Sequence, residues 1–320
     1  MRARSFAVWH AATGWLVVLS MLALSPSSAM TQHTRPVHGG WAVAPTAPIK
    51  LHVASGDVLV TGWSRDSVHL EGEMAEGETL FALGAWGGLK LGAEGRTVRG
   101  ASRLRVFVPS RADLTVRSGS AAVEVSGLLG AVDIGVADGS VRVEGAPSTL
   151  TIEALSGDVQ VEAPNGTRHV SRGETANTAP AASPNAASAA ASIGALRVRT
   201  TRGRITVRGH IQAAQLATVS GVVDVSAAPL PALRVSTVSG NVHLVTASTL
   251  TAPVQVETFG GSVYVTRPRG TTTEQLHSDT GEVMRNGQRV AATNISPSSA
   301  VLLTVRSFRG TIVVNDTVPR

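Results

Sequence analysis

The sequence predicts an all-β chain, a parallel β-solenoid of ~20-residue coils behind an N-terminal β cap. Short runs alternate apolar and polar residues with the two-residue period of a strand buried on one face. Leu233 and Val235 alternate with Arg234 and Ser236, then Val242 and Leu244 with Asn241 and His243. A serine-glycine or glycine-glycine pair separates such runs, as in "EALSGDVQVE" (153–162), "ATVSGVVDVS" (217–226), "STVSGNVHLV" (236–245) and "ETFGGSVYVT" (257–266). The glycine also recurs. Gly119, Gly139, Gly157, Gly203, Gly221, Gly240, Gly261, Gly281 and Gly310 follow one another at gaps of 20, 18, 46, 18, 19, 21, 20 and 29 residues.

Glycine has the backbone freedom for a tight corner, and Ser or Thr beside it can hydrogen-bond locally. One coil then reads as a strand, a glycine corner, a second strand and a looser return. Stacked coils place valine over valine at about 4.8 Å per rung. An antiparallel β-sandwich is the alternative, since it also spaces short strands regularly. The constant phase of the corner favours the solenoid, as does the scarcity of Asn-Gly hairpin dipeptides. Asn286-Gly287 is one such dipeptide and predicts a local hairpin.

In chain order, residues 1–29 read as a secretory signal peptide. Arg2 and Arg4 form a basic start, "WLVVLSMLAL" (15–24) an apolar stretch, and Ser27 and Ala29 a small-residue cleavage site. The apolar part is short for a membrane span, which needs about 20 residues. No integral anchor is expected after cleavage. Residues 30–48, with Pro36, Pro45, Pro48 and Gly39-Gly40, read as a flexible leader. Residues 49–110 form the cap and hold Trp63, Phe81, Trp86 and Phe107. A solenoid end needs such a cover, because an open edge templates aggregation.

Residues 111–318 form the solenoid. The 46-residue gap holds about 26 residues beyond a normal coil, rich in Ala, Ser, Asn and Pro, and predicts a disordered insertion at 164–194. "TVRSFRGTIVV" (304–314) reads as the last coil.

The stretch "RLRVFVPSRADLTVRSGSAAVEVSGLLGAVDIGVADGSVRVEG" (103–145), with "ASGDVLVTGW" (54–63) before it, resembles the bacterial putative-adhesin domain family of extracytoplasmic β-solenoids. The resemblance spans roughly 50–318. It implies a ladder of "SGxVxV" coils outside the cytoplasm. It carries no catalytic residues to transfer.

The chain has 320 residues, 43% hydrophobic and 16% charged, with aromatics at 3% and no cysteine. That excludes disulfides, thiolate metal sites and a lipoprotein cysteine. Without residues 1–29 the formal charge falls from +6 to +4, nearly all of it Arg, with only Lys50 and Lys90 as lysines. The arginines are scattered, unlike a nucleic-acid footprint.

Solenoid enzymes need clustered carboxylates. The outward row of the second strands reads Glu124, Arg142, Gln160, Thr206, Asp224, His243, Tyr264, which is mixed. Within it, Asp224, His243 and Tyr264 fall on successive rungs and form the candidate ligand-binding trio: Asp can orient His, and Tyr can stack on a ligand. A solvated face of three polar residues is the plainer reading. Asp133, Asp138 and Glu144 suggest a calcium site only weakly, since the Asp-bearing nonapeptide of calcium-binding β-rolls is absent. No metal or cofactor is expected.

The expected function is a non-enzymatic, exported, adhesin-like solenoid in the periplasm or at the cell surface. Its expected partners are an envelope protein or glycan, or a second copy. A periplasmic structural or stress-signalling scaffold is the alternative, and a glycan-active enzyme ranks third.

Overall fold

Strand periodicity dominates the chain, and the described residues of the computed structural model form 24 strands in one open sheet. It describes residues 34–95, 98–164, 192–227, 232–246, 250, 253–268, 274–290 and 303–317, and these contain no helix. They lie in one compact unit, Gln32–Arg320. The expected signal peptide and nearly all of the expected insertion lie outside the described residues.

The N-terminal part comprises β1 (Thr34–Ala42), β2 (Pro48–Trp63), β3 (Ser67–Ala75), β4 (Thr79–Ala85), β5 (Gly88–Glu94), β6 (Ser102–Pro109) and β7 (Asp113–Ser126). Residues expected as a flexible leader therefore include a strand. β1 pairs antiparallel with β3 along its whole length, Thr34 with Ala75 through Ala42 with Ser67. Pro36 is tolerated because β1 has no described partner on its other side, and proline is confined to such edges.

Beyond β7 the strands come in pairs: β8 (Ala131–Asp138) with β9 (Val141–Glu144), β10 (Thr149–Ser156) with β11 (Val159–Glu162), and β12 (Ile193–Arg202) with β13 (Ile205–Arg208). Then follow β14 (Ile211–Ser220) with β15 (Val222–Ala227), β16 (Ala232–Thr237) with β17 (Asn241–Thr246), and β18 (Val254–Thr258) with β19 (Val263–Pro268). The chain ends with β20 (Glu274–Ser278), β21 (Val283–Arg285), β22 (Gln288–Arg289), β23 (Leu303–Ser307) and β24 (Ile312–Thr317).

The first member of each pair joins one parallel ladder and the second joins another. β7 spans both, pairing with β8 through its first half and β9 through its second. Val116, Ile134, Ile152, Val198, Leu216, Val235, Val256 and Val305 thus line up in one ladder. Val125, Val143, Val161, Val207, Val225, Leu244, Val265 and Val314 line up in the other. All are buried in one continuous core. Each fully buried Val or Leu contributes about 1.5–3 kcal/mol of apolar transfer, so the repeated column is the main stabilising term. The register passes the 46-residue gap unchanged, Leu150 beside Leu196 and Val159 beside Ile205.

Both ends depart from chain order. β2 lies between β7 on one side and β5 and β6 on the other: Leu51 sits beside Val116 and Leu91, Val60 beside Val125 and Val106. At the far end, β23 lies between β18 and β20, and β24 between β19 and β21. The expected last coil, 304–314, is therefore inserted one rung inside. The outermost described rung is β20–β21, closed by an antiparallel β21–β22 turn. Asn286 and Gly287 form that turn at φ 48° and 79°, the left-handed pair a two-residue hairpin requires.

The N-terminal part is also partly antiparallel, through β1–β3, β3–β6 and β4–β5. Its core is aliphatic, with Ile49, Leu51, Leu70, Met74 and Leu91 fully buried. None of Trp63, Phe81, Trp86 and Phe107 is buried.

The glycine corners form a column. A Cβ on Gly139, Gly157, Gly203, Gly221, Gly240, Gly261, Gly310 or Gly281 would overlap the carbonyl oxygen of its counterpart one rung away. Gly119 is the exception. It lies inside β7, and Ala121 holds the column position, beside Gly56 and against Gly139. From Gly240 onward the corner has its own hydrogen bond. The N–H of Gly240, Gly261, Gly281 and Gly310 donates to the hydroxyl three residues earlier, on Thr237, Thr258, Ser278 and Ser307, at 2.8–3.0 Å.

Candidate functional site

Strand alternation turns Glu124, Arg142, Gln160, Thr206, Asp224, His243 and Tyr264 outward. The register sets them side by side on successive rungs of the second ladder. The candidate trio is in contact. Asp224 Oδ1 lies 3.0 Å from His243 Nδ1, and its Oδ2 accepts from Arg204 Nη1 at 2.7 Å. The Tyr264 ring meets His243 edge-on, with centroids 5.0 Å apart at 84°.

A carboxylate on Nδ1 places the ring proton there and leaves Nε2 as an acceptor. Both oxygens of Asp224 are engaged, so it orients His243 rather than offering a second acid or base. The geometry suits binding through a histidine acceptor and a tyrosine ring.

The other candidate carboxylates are occupied too. Asp133 pairs with Arg117 at 2.5 Å, Asp138 accepts from Ser156 Oγ at 2.8 Å, and Glu144 pairs with Arg142 at 2.5 Å. Asp133 lies in the first ladder and Glu144 in the second. Among the described residues no group of three His, Asp or Glu could hold a metal ion.

Two features escaped the sequence reading. Trp63 and Phe107 stack 5.4 Å apart in the N-terminal part, with His69 nearby and Arg65 over the Trp63 ring at 5.0 Å. Phe259 and Phe308 stack at 4.8 Å and 9°, although 49 residues separate them. Only the insertion of β23–β24 beside β18–β19 brings that pair together, and local periodicity carries no sign of it.

No family model and no curated relative matches the chain. Solved structures of similar shape do exist, and several bear the name putative adhesin. One, from Parabacteroides distasonis, is 10% identical with a TM-score of 0.49, over 88% of this chain and 98% of that one. Another, from Bacteroides fragilis, is 10% identical with a TM-score of 0.41, over 88% and 97%. A putative cell adhesion protein from Clostridium sporogenes is 9% identical with a TM-score of 0.19, over 88% and 100%. At these identities and scores the strand register, not the likeness, carries the description of the fold.

Proposed function

We propose that this chain is an exported, non-enzymatic, adhesin-like β-solenoid that binds at the cell envelope. The two ladders are read as the walls of one solenoid, each strand pair and its glycine corner being one coil. The observation that carries the reading is the unbroken register of the outward rows. It turns a degenerate repeat into a long rigid face on which side chains recur at about 4.8 Å. A face of that kind binds by many modest contacts to a protein or glycan, and Asp224, His243 and Tyr264 are its most differentiated point. The basic and apolar start of the sequence supports export, and the Asp224 ion pairs support binding rather than acid/base catalysis.

Protease shaving of intact cells tests this, followed with an antibody to the chain and compared with cells whose periplasm has been opened. Cleavage within 164–194 on intact cells is the expected result. Protection until the periplasm is opened would overturn the surface reading.

One observation favours a periplasmic scaffold as the second reading. Among the described residues β20 pairs on one side only, with β23, and so presents an edge for end-to-end addition. In that case sedimentation should show oligomers that grow with concentration.

A further inference from the structure

Val219, Val238, Phe259 and Phe308 hold the same place in four consecutive glycine corners. Backbone bonds fix the stack: the N–H of Ser239, Gly260 and Arg309 donates to the carbonyl of Val219, Val238 and Phe259 at 2.9, 2.7 and 2.8 Å. Each of these side chains sits at the tip of a tight turn, and their exposure is 39–50%. Together they make an apolar ridge about 14 Å long, at three rung spacings. A contiguous apolar strip on a protein surface is often a functional one.

The charge around the ridge is mostly basic, with four arginines against Glu257 in the row and Asp279 at the corner beyond Phe308. Arg199 and Arg202 stand one rung before Val219, and Arg306 and Arg309 stand on the Phe308 rung. Arg309 lies over both phenyl rings, at 5.5 and 5.9 Å. Between them stand the small residues Ala217, Ser220, Ser236, Ser239 and Gly260, with Glu257 in the same row beside Arg306. Glu257 lies 3.8 Å from Arg234, which adds a fifth arginine, and Asp279 lies 2.6 Å from His277. A second copy of the ridge would bring arginines against arginines. What fits an apolar crest with arginines at both ends is a flat anionic amphiphile. Such a surface takes the crest into its interface and meets the guanidinium groups with phosphates.

We propose that this ridge docks the protein on an anionic lipid surface, with Val219, Val238, Phe259 and Phe308 entering the interface. Arg199, Arg202, Arg306 and Arg309 bind the headgroups. The site is separate from the Asp224–His243–Tyr264 row and stands whether or not that row binds a ligand.

The test is sedimentation of the full chain with vesicles of phosphatidylglycerol and phosphatidylcholine, and of phosphatidylcholine alone, at low and high salt. Residues 1–29 are common to every variant, so differences report the ridge. Phe259→Ser/Phe308→Ser should lose about tenfold in binding to the anionic vesicles. Arg306→Gln/Arg309→Gln should lose about thirtyfold at low salt and little at high salt. Val219→Ser/Val238→Ser, which spares the stacked phenyl pair, should fall between wild type and the Phe variant. Each variant should keep the far-UV spectrum of the wild type. Undiminished vesicle binding by the Phe and Val variants would overturn the proposal. So would equal binding to both vesicle types, or ridge-dependent capture of an acidic protein by a chain that ignores vesicles.

Discussion

Gly261→Ala is expected to cost about 3 kcal/mol or more, while Gly260→Ala beside it stays within about 0.5 kcal/mol. A Cβ on Gly261 would overlap the Gly240 carbonyl oxygen and press to 3.1 Å from Thr258 Oγ1. The carbonyl belongs to the backbone of the next rung. It can move only if β17 and β19 separate, and their contact runs from Val242–Val263 to Val245–Thr266. A Cβ on Gly260 would meet nothing nearer than the Val238 carbonyl at 3.4 Å. Neither glycine has the left-handed φ that other residues resist, so the pair isolates crowding from backbone preference. Urea unfolding followed by circular dichroism reads the difference. Equal costs would mean that the rungs are not in close contact at this corner.

Arg267→Met is expected to cost about 3–5 kcal/mol, the effect of removing one partner from a buried ion pair. Arg267 is 3% exposed, with Nη2 at 2.7 Å from Glu274 Oε2 and Nε at 3.4 Å from Asp316 Oδ1. Arg285 closes the set at 3.0 Å from the same two carboxylates. These residues come from the ends of β19, β20, β21 and β24, so the cluster ties together the rungs that depart from chain order. Two positive and two negative charges balance there. Losing Arg267 leaves two desolvated carboxylates with one cation.

Burial alone would raise the Asp316 carboxyl, but the hydrogen bond and charge of Arg285, the charge of Arg267 and the Asn286 amide outweigh it. They hold the group below its ordinary value of 3.8. A carboxyl depressed in the folded state adds stability that is complete above the unfolded value and fades as pH falls through the folded one. This end should therefore loosen below about pH 4, and Asp316→Asn should flatten that acid limb. An acid limb unchanged in Asp316→Asn would place the acid sensitivity elsewhere.

Much of this architecture was legible in local pattern. The Leu233/Val235 and Val242/Leu244 alternation gives strands with one face inside. The near-constant gap between glycines gives the column of corners. The same phase sets Asp224, His243 and Tyr264 side by side. What was not legible is which rung lies beside which at the ends. A "GxVxV" run carries the same signal whichever neighbour it joins, so β23–β24 read as the last coil. The 29-residue gap before Gly310 and the distance from Gly56 to Gly119 are the sequence traces of the two crossings, and neither names a partner. β1 was hidden for another reason. "TRPVHGGWA" has proline and two glycines, and its extension comes from pairing with β3 rather than from propensity. Gly119 misled because a serine-glycine pair occurs inside β7 as well as at corners.

The inserted end rung is the claim on which the ridge, the stacked phenyl pair and the buried ion cluster all depend. A chain without cysteine allows a direct test by engineered disulfides. Gln255 on β18 stands beside Thr304 on β23, and Thr304 stands beside Gln275 on β20. One rung, about 4.8 Å, is within disulfide reach, and two rungs are not. Gln255→Cys/Thr304→Cys should oxidise readily to an intramolecular bond, and Gln255→Cys/Gln275→Cys should stay reduced. Rapid bonding of the second pair and failure of the first would restore chain order to the rungs and contradict the account.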